Sequence, residues 1–146
     1  MLILSGFAIR ASGALYIQQP GAMQMPNSAD ATPDFESIKT KLRTFANERD
    51  WDQFHSPKNL AMALVGEVGE LVEHFQWLTQ EQSYQLPKEK EDAVREELAD
   101  VQIYLIMLAG KLDIDLLSAV VEKIRKNDEK YPRAKSHGTS RKYTDL

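Results

Sequence analysis

Four acidic residues at helical spacing carry the chemistry that this sequence can offer. Glu67 and Glu70 stand in "GEVGELVEHFQW", and Glu97 and Asp100 stand in "REELADVQIYL". Each pair, E-x-x-E and E-x-x-D, projects from one side of a helix, because residues three apart are neighbours there. Carboxylates brought together repel one another and cannot all stay ionised without counter-charge. A hard divalent cation supplies it: Mg²⁺ takes oxygen ligands, keeps some waters and bridges one or two carboxylates to the phosphates of a substrate. A lone E-x-x-E is an ordinary solvated feature of helices; two such pairs on adjacent helices, each bordering an apolar arc, point to a metal. Zinc is disfavoured, since the chain has no cysteine and His74 is the nearby imidazole. A di-iron bundle would need Glu-x-x-His twice, and the sequence has none.

Helices must position these residues, and the sequence predicts four main ones. Thr32-Pro33 reads as a cap and first turn for a helix carrying Phe35, Ile38, Leu42, Phe45 and Ala46 to about Arg49. Ser56-Pro57 repeats that signal for a second, running to about Leu78. A third spans Pro87 to about Leu112, and a fourth spans Leu116 to Lys130, stopped by Tyr131-Pro132. With Glu67 at zero, Leu60, Leu64, Val65, Val68, Leu71, Val72 and Phe75 fall at about 20° to 160°, which puts Glu67 on the edge of the arc and Glu70 about 60° outside it. On the third helix, Val94, Leu98, Val101, Leu105 and Leu108 form one arc and Ile103, Ile106 and Met107 a second, with Glu97 and Asp100 between. A helix apolar on two sides is buried on two sides, and the second is expected to meet another subunit. The eight-residue connection "TQEQSYQL" makes the two acidic helices antiparallel neighbours, so that the pairs converge. The fold class is therefore all-α, a four-helix bundle completed by oligomer packing.

A chain of 146 residues holds one domain with a real core. Its net charge of −4 offers no general attraction to polymeric nucleic acid, and no stretch reads as a membrane span. The lack of cysteine fits a reducing compartment and a cytoplasmic setting. Residues 1–31 read as a poorly ordered extension and linker, with Met23 or Met25 as alternative starts; the acid-free, Arg-containing beginning leaves transit to an organelle open. Residues 32–132 read as the helical domain and 133–146 as a polar tail.

"EVGELVEHFQW" followed by "EELADVQIYL" resembles the MazG-type all-α nucleoside triphosphate pyrophosphohydrolases. The flanking "ERDWDQFHSPKNL", "KYP" and "SRKYT" make the likeness narrower, to the dCTP pyrophosphatases, from about Phe35 onward. The resemblance implies cleavage between the α- and β-phosphates, giving the monophosphate and pyrophosphate. It implies that Glu67, Glu70, Glu97 and Asp100 bind Mg²⁺ and that the assembly is a homo-tetramer, a dimer of dimers. It also assigns the base pocket to Trp51, Asp52, Gln53, Phe54, His55 and Trp77, and substrate contacts to Tyr104 and Asn127. One position departs: Leu42 stands where cytosine-specific relatives carry a His, so the reaction is better specified than the base.

The residues fit that reaction on their own terms. A triphosphate and four carboxylates repel, so cations must bridge them, and one carboxylate must orient or deprotonate the attacking water. Glu70, farther from the apolar arc than Glu67, is assigned that role. Gly66 and Gly69 each cost about 1 kcal/mol relative to Ala within a helix, and are expected to admit a helix or a neighbouring subunit close behind the acidic pair. The alternative reading is a non-catalytic bundle whose acidic pairs hold a structural cation or dock a basic partner.

Overall fold

A computed structural model of the chain describes residues 33–145. The expected extension, the linker, Thr32 and Leu146 lie outside the described residues. The elements are α1 (Phe35–Asn47), a 3₁₀ turn (Asp52–Phe54), α2 (Pro57–Glu73), α3 (Gln80–Ser83), α4 (Lys88–Lys111), α5 (Leu116–Lys130), α6 (Arg133–Ser136) and a final 3₁₀ turn (Tyr143–Asp145). Among the described residues no strand occurs and no helix is long and apolar enough to cross a membrane.

Short polar side chains set the helix starts. Asp34, not Thr32, caps α1: its Oδ1 accepts from the Ser37 N–H at 2.7 Å. Pro33 therefore precedes the helix instead of opening it. Ser56 caps α2 by accepting from the Asn59 N–H at 3.2 Å, with Pro57 in the first turn as expected. Asp115 caps α5. Such caps are each worth about 1 kcal/mol. The connection between the acidic helices is not plain loop, because Thr79 and Gln82 form a reciprocal capping box that nucleates α3.

α1 and α4 both end through an aspartate in the left-handed region, Asp50 at φ 52° and Asp113 at φ 53°. In each case the chain doubles back, so that the Trp51 N–H donates to Ala46 O and the Ile114 N–H to Ala109 O. The first of these turns launches the aromatic loop.

The core is small and lies between α2 and α4, where Leu60, Ala63 and Tyr104 are buried with Leu64, Met107 and Leu108 packed around them. α1 packs on α4 from another side. Ile106, expected to meet another subunit, is 4% exposed within this chain, because α1 covers that arc. The faces left open lie elsewhere. Val65, Val68 and Val72 of α2, Leu98 of α4, and Leu117, Val120, Val121 and Ile124 along α5 are all exposed. No residue of α5 is buried, so the expected fourth helix adds nothing to the core of one chain. The end of the chain is more structured than a plain polar tail, since Tyr143 packs edge-on against Tyr131 at 5.9 Å beneath the Lys130 ammonium.

Candidate metal centre and adjoining cleft

Leu60 and Ala63, early in α2, meet Tyr104, Met107 and Leu108, late in α4. The two helices therefore run antiparallel, and the later part of α2 faces the middle of α4. There Glu67, Glu70 and Glu97 bring carboxylate oxygens within 4.8 Å of one another. Glu67 is not at the margin of the apolar face but within it, 3% exposed. The apolar arc has divided: its near half, Leu60, Leu64 and Leu71, turns inward with Glu67, while Val65, Val68 and Val72 turn out. Glu97 is half-buried and Glu70 exposed. Asp100 falls outside the group of three but lies within electrostatic reach of it.

Burial is the main force on these groups. It pushes the Glu67 carboxyl from an ordinary 4.5 up to about 7, with the charges of Asp100, Glu70 and Glu97 adding to it. Glu97 is raised by burial first, then by Glu70 and Asp100, while His74 opposes. Asp100 is raised by burial and by Glu96. Among the described residues no Lys or Arg forms an ion pair with any of the four. Such a set of hard oxygen donors without a protein counter-charge is suited to a divalent cation. Ligand oxygens about 2.1 Å from Mg²⁺ stand at most about 4.2 Å apart, so the observed separation needs only a small contraction. His74, expected at the surface, is the half-buried C-cap of α2.

A second feature lies on the α1 side of α4. A cleft of about 200 Å³ lies where α1, the aromatic loop and α4 meet, lined by Leu42, Ala46, Ile106 and Met107 on its apolar side and by Asp52, His55 and Lys111 among its polar groups. An apolar cavity of about 150 Å³ holds benzene, so this one has room for a single flat ring. Asp100 and Ile106 are separated by about 9 Å of helix rise and about 120° of helix rotation, so the cleft opens on the α1 side of α4 while the carboxylates face α2.

The loop is built from the end of α1. Trp51 packs edge-on to Phe45 at 5.7 Å and to His55 at 6.3 Å, and the Arg49 guanidinium covers Phe45. His55 is 7% exposed, and among the described residues its Nδ1 has no hydrogen-bond partner. Burial, then the Lys111 charge, hold the imidazole below its ordinary value, so it is neutral at pH 7. A buried polar atom without a partner is a place where a ligand can gain a hydrogen bond.

The nominated substrate residues thus separate. Asp52 and His55 line the cleft, and Trp51 packs on His55. Tyr104 is a core residue at 3% exposure, one turn beyond Asp100 on α4. Gln53 Nε2 is engaged with Asp50, and Phe54 is exposed. Trp77, 86% exposed, and Asn127, on the exposed α5, do not line the cleft within one chain. Lys39, Arg43 and Lys111 do, and nothing local in the sequence marked them. Lys111 reads there as an ordinary cation in the last turn of a helix.

Comparison with known proteins bears on all of this. A family model described as MazG-like matches residues 63–146, which contain all four carboxylates. The dCTP pyrophosphatase 1 of Rattus norvegicus is 47% identical over 133 residues, covering 88% of this chain and 77% of that protein. The dCTP pyrophosphatase 1 of Homo sapiens is 48% identical over 118 residues, covering 78% and 68%. A crystal structure of a pyrophosphatase from Archaeoglobus fulgidus superposes with a TM-score of 0.65 at 38% identity, covering 70% of this chain and 96% of that one.

Proposed function

The chain belongs to the MazG-like family, and from that premise we propose that it hydrolyses a nucleoside triphosphate, dCTP or a modified dCTP, to the monophosphate and pyrophosphate, so clearing the nucleotide pool. The observation that carries the reading is the convergence of Glu67, Glu70 and Glu97 within 4.8 Å across two helices, one of them buried. The identity to proteins named dCTP pyrophosphatase 1 supports the substrate.

Mg²⁺ is the proposed cation, held by Glu67, Glu70 and Glu97 with Asp100 close by; when bound it neutralises charge on the triphosphate and on the departing pyrophosphate. Glu70, the exposed member of the three, takes a proton from the water that attacks the α-phosphorus. A phosphorus–oxygen bond forms to that water, and the bond from the α-phosphorus to the bridging oxygen breaks. The cleft receives the base. Its apolar wall of Leu42, Ala46, Ile106 and Met107 covers one part of the ring, and His55 Nδ1 is the free polar atom that meets its edge. Trp51, Trp77, Tyr104 and Asn127 complete the substrate site in a homo-tetramer, a dimer of dimers, whose contacts draw on the exposed apolar faces of α2 and α5. A cytoplasmic setting belongs to the same proposal.

A panel of common and 5-modified nucleoside triphosphates, with and without Mg²⁺, tests it. Mg²⁺-dependent release of pyrophosphate, fastest with a cytosine nucleotide, is expected. Release of orthophosphate, or no turnover of any nucleotide, would contradict it.

A further inference from the structure

Asp52 in the aromatic loop and Lys111 at the end of α4 form an ion pair across 59 positions of sequence. Among the described residues the other ion pairs all join positions no more than four apart. The loop's other side-chain ties are local as well. Gln53 Nε2 donates to Asp50 O at 2.9 Å and to its Oδ2 at 2.7 Å. Asn59 Nδ2 donates to Phe54 O at 2.9 Å. These bonds fix the loop's own shape, and none of them fastens it to α4.

The Asp52 side chain is 63% exposed, and a pair so placed contributes little to global stability. Its effect is local. Lys111 lies about 16 Å of helix rise beyond Asp100, outside the acidic centre. Both partners line the cleft, together with His55, whose backbone N–H donates to Asp52 O at 3.2 Å. Movement of Asp52 therefore carries His55 and its unpartnered Nδ1 with it, and Trp51 through the ring contact.

We propose that Lys111 is a positioning residue for the substrate: its ammonium holds the Asp52 carboxylate, which fixes loop 51–55 against α4 and sets the width of the cleft. The role in turnover rests on the reading of that cleft as the base site, while the latch itself does not.

The experiment uses the full chain with Mg²⁺ and dCTP, and compares the wild type with Lys111→Met and Lys111→Arg. Lys111→Met is expected to raise KM about tenfold while kcat stays within about twofold, since a misplaced binding wall weakens substrate binding without touching the reacting groups. Lys111→Arg is expected to recover most of the loss. Amide exchange at Trp51, Phe54 and His55, read in the nucleotide-free protein, is expected to accelerate in Lys111→Met and to return in Lys111→Arg. Unchanged exchange in Lys111→Met would overturn the latch whatever the kinetics. A fall in kcat at constant KM would overturn the positioning role. A wild-type protein that turns over no nucleotide, with the exchange response intact, would support the latch and count against the proposed function instead.

Discussion

The carboxylate of Glu67 on α2 and that of Glu97 on α4 approach within 4.8 Å across the helix interface, and the first of them is 3% exposed. A carboxyl so placed is a weak acid while it stands alone and a strong ligand once a cation neutralises its neighbours. Stability, metal affinity and turnover are thereby tied to one group.

Glu67, with a folded-state value near 7 against an ordinary 4.5, binds more protons folded than unfolded between those limits. Without metal, stability therefore falls as pH rises from about 4.5 to about 7 and levels off above, since the slope follows the difference in bound protons. Glu67→Gln should flatten that dependence and raise the metal-free Tm at pH 8, while lowering kcat by a factor on the order of 100 or more through loss of a metal ligand. Thermal scans in chelator across pH 5 to 8, paired with turnover assays, measure both.

Adding Mg²⁺ should raise Tm at pH 8 and do so less at pH 6, where the cation competes with a proton on Glu67. At a hundredfold excess over Kd the stabilisation is about 2.7 kcal/mol. Chelator should reverse it. A Tm indifferent to divalent cations at pH 8 would argue against the site.

The apolar stripe of α5, with Val121 67% and Ile124 56% exposed, is expected to be covered by another copy of the chain. Val121→Glu together with Ile124→Glu is expected to give a smaller species than the wild-type protein in light scattering, with helix content nearly retained. An unchanged mass would contradict that expectation.

A side-chain carbon at Gly66 or Gly69 would meet nothing within 4 Å. Among the described residues, therefore, no other helix accounts for the two glycines, and a neighbouring copy of the chain is the proposed source of the close approach. Gly69→Leu should weaken assembly. A full-sized oligomer with a raised Tm, as removal of a helix glycine gives at about 1 kcal/mol when nothing opposes it, would remove that explanation.

The sequence made the helices legible because their caps are local: Ser56-Pro57 and Asp115 act within one turn of themselves. It placed the acidic pairs on facing helices for the same reason. The depth of Glu67 is not legible, because the apolar arc of α2 serves two faces and periodicity alone does not divide them; Val65, Val68 and Val72 share that arc with Leu60 and Leu64 and are exposed. The covering of Ile106 by α1 and the pairing of Asp52 with Lys111 were hidden because each joins residues distant in sequence. α5 shows the complementary limit, an amphipathic pattern that fixes a helix without saying which chain supplies its partner.

The most direct measurement is an anomalous difference map from a crystal of the full-length protein soaked in Mn²⁺ as a stand-in for Mg²⁺. A peak between α2 and α4, ligated by carboxylate oxygens of Glu67, Glu70 and Glu97, is the result expected. A map with no peak there, or with the metal held by other residues, would contradict the account.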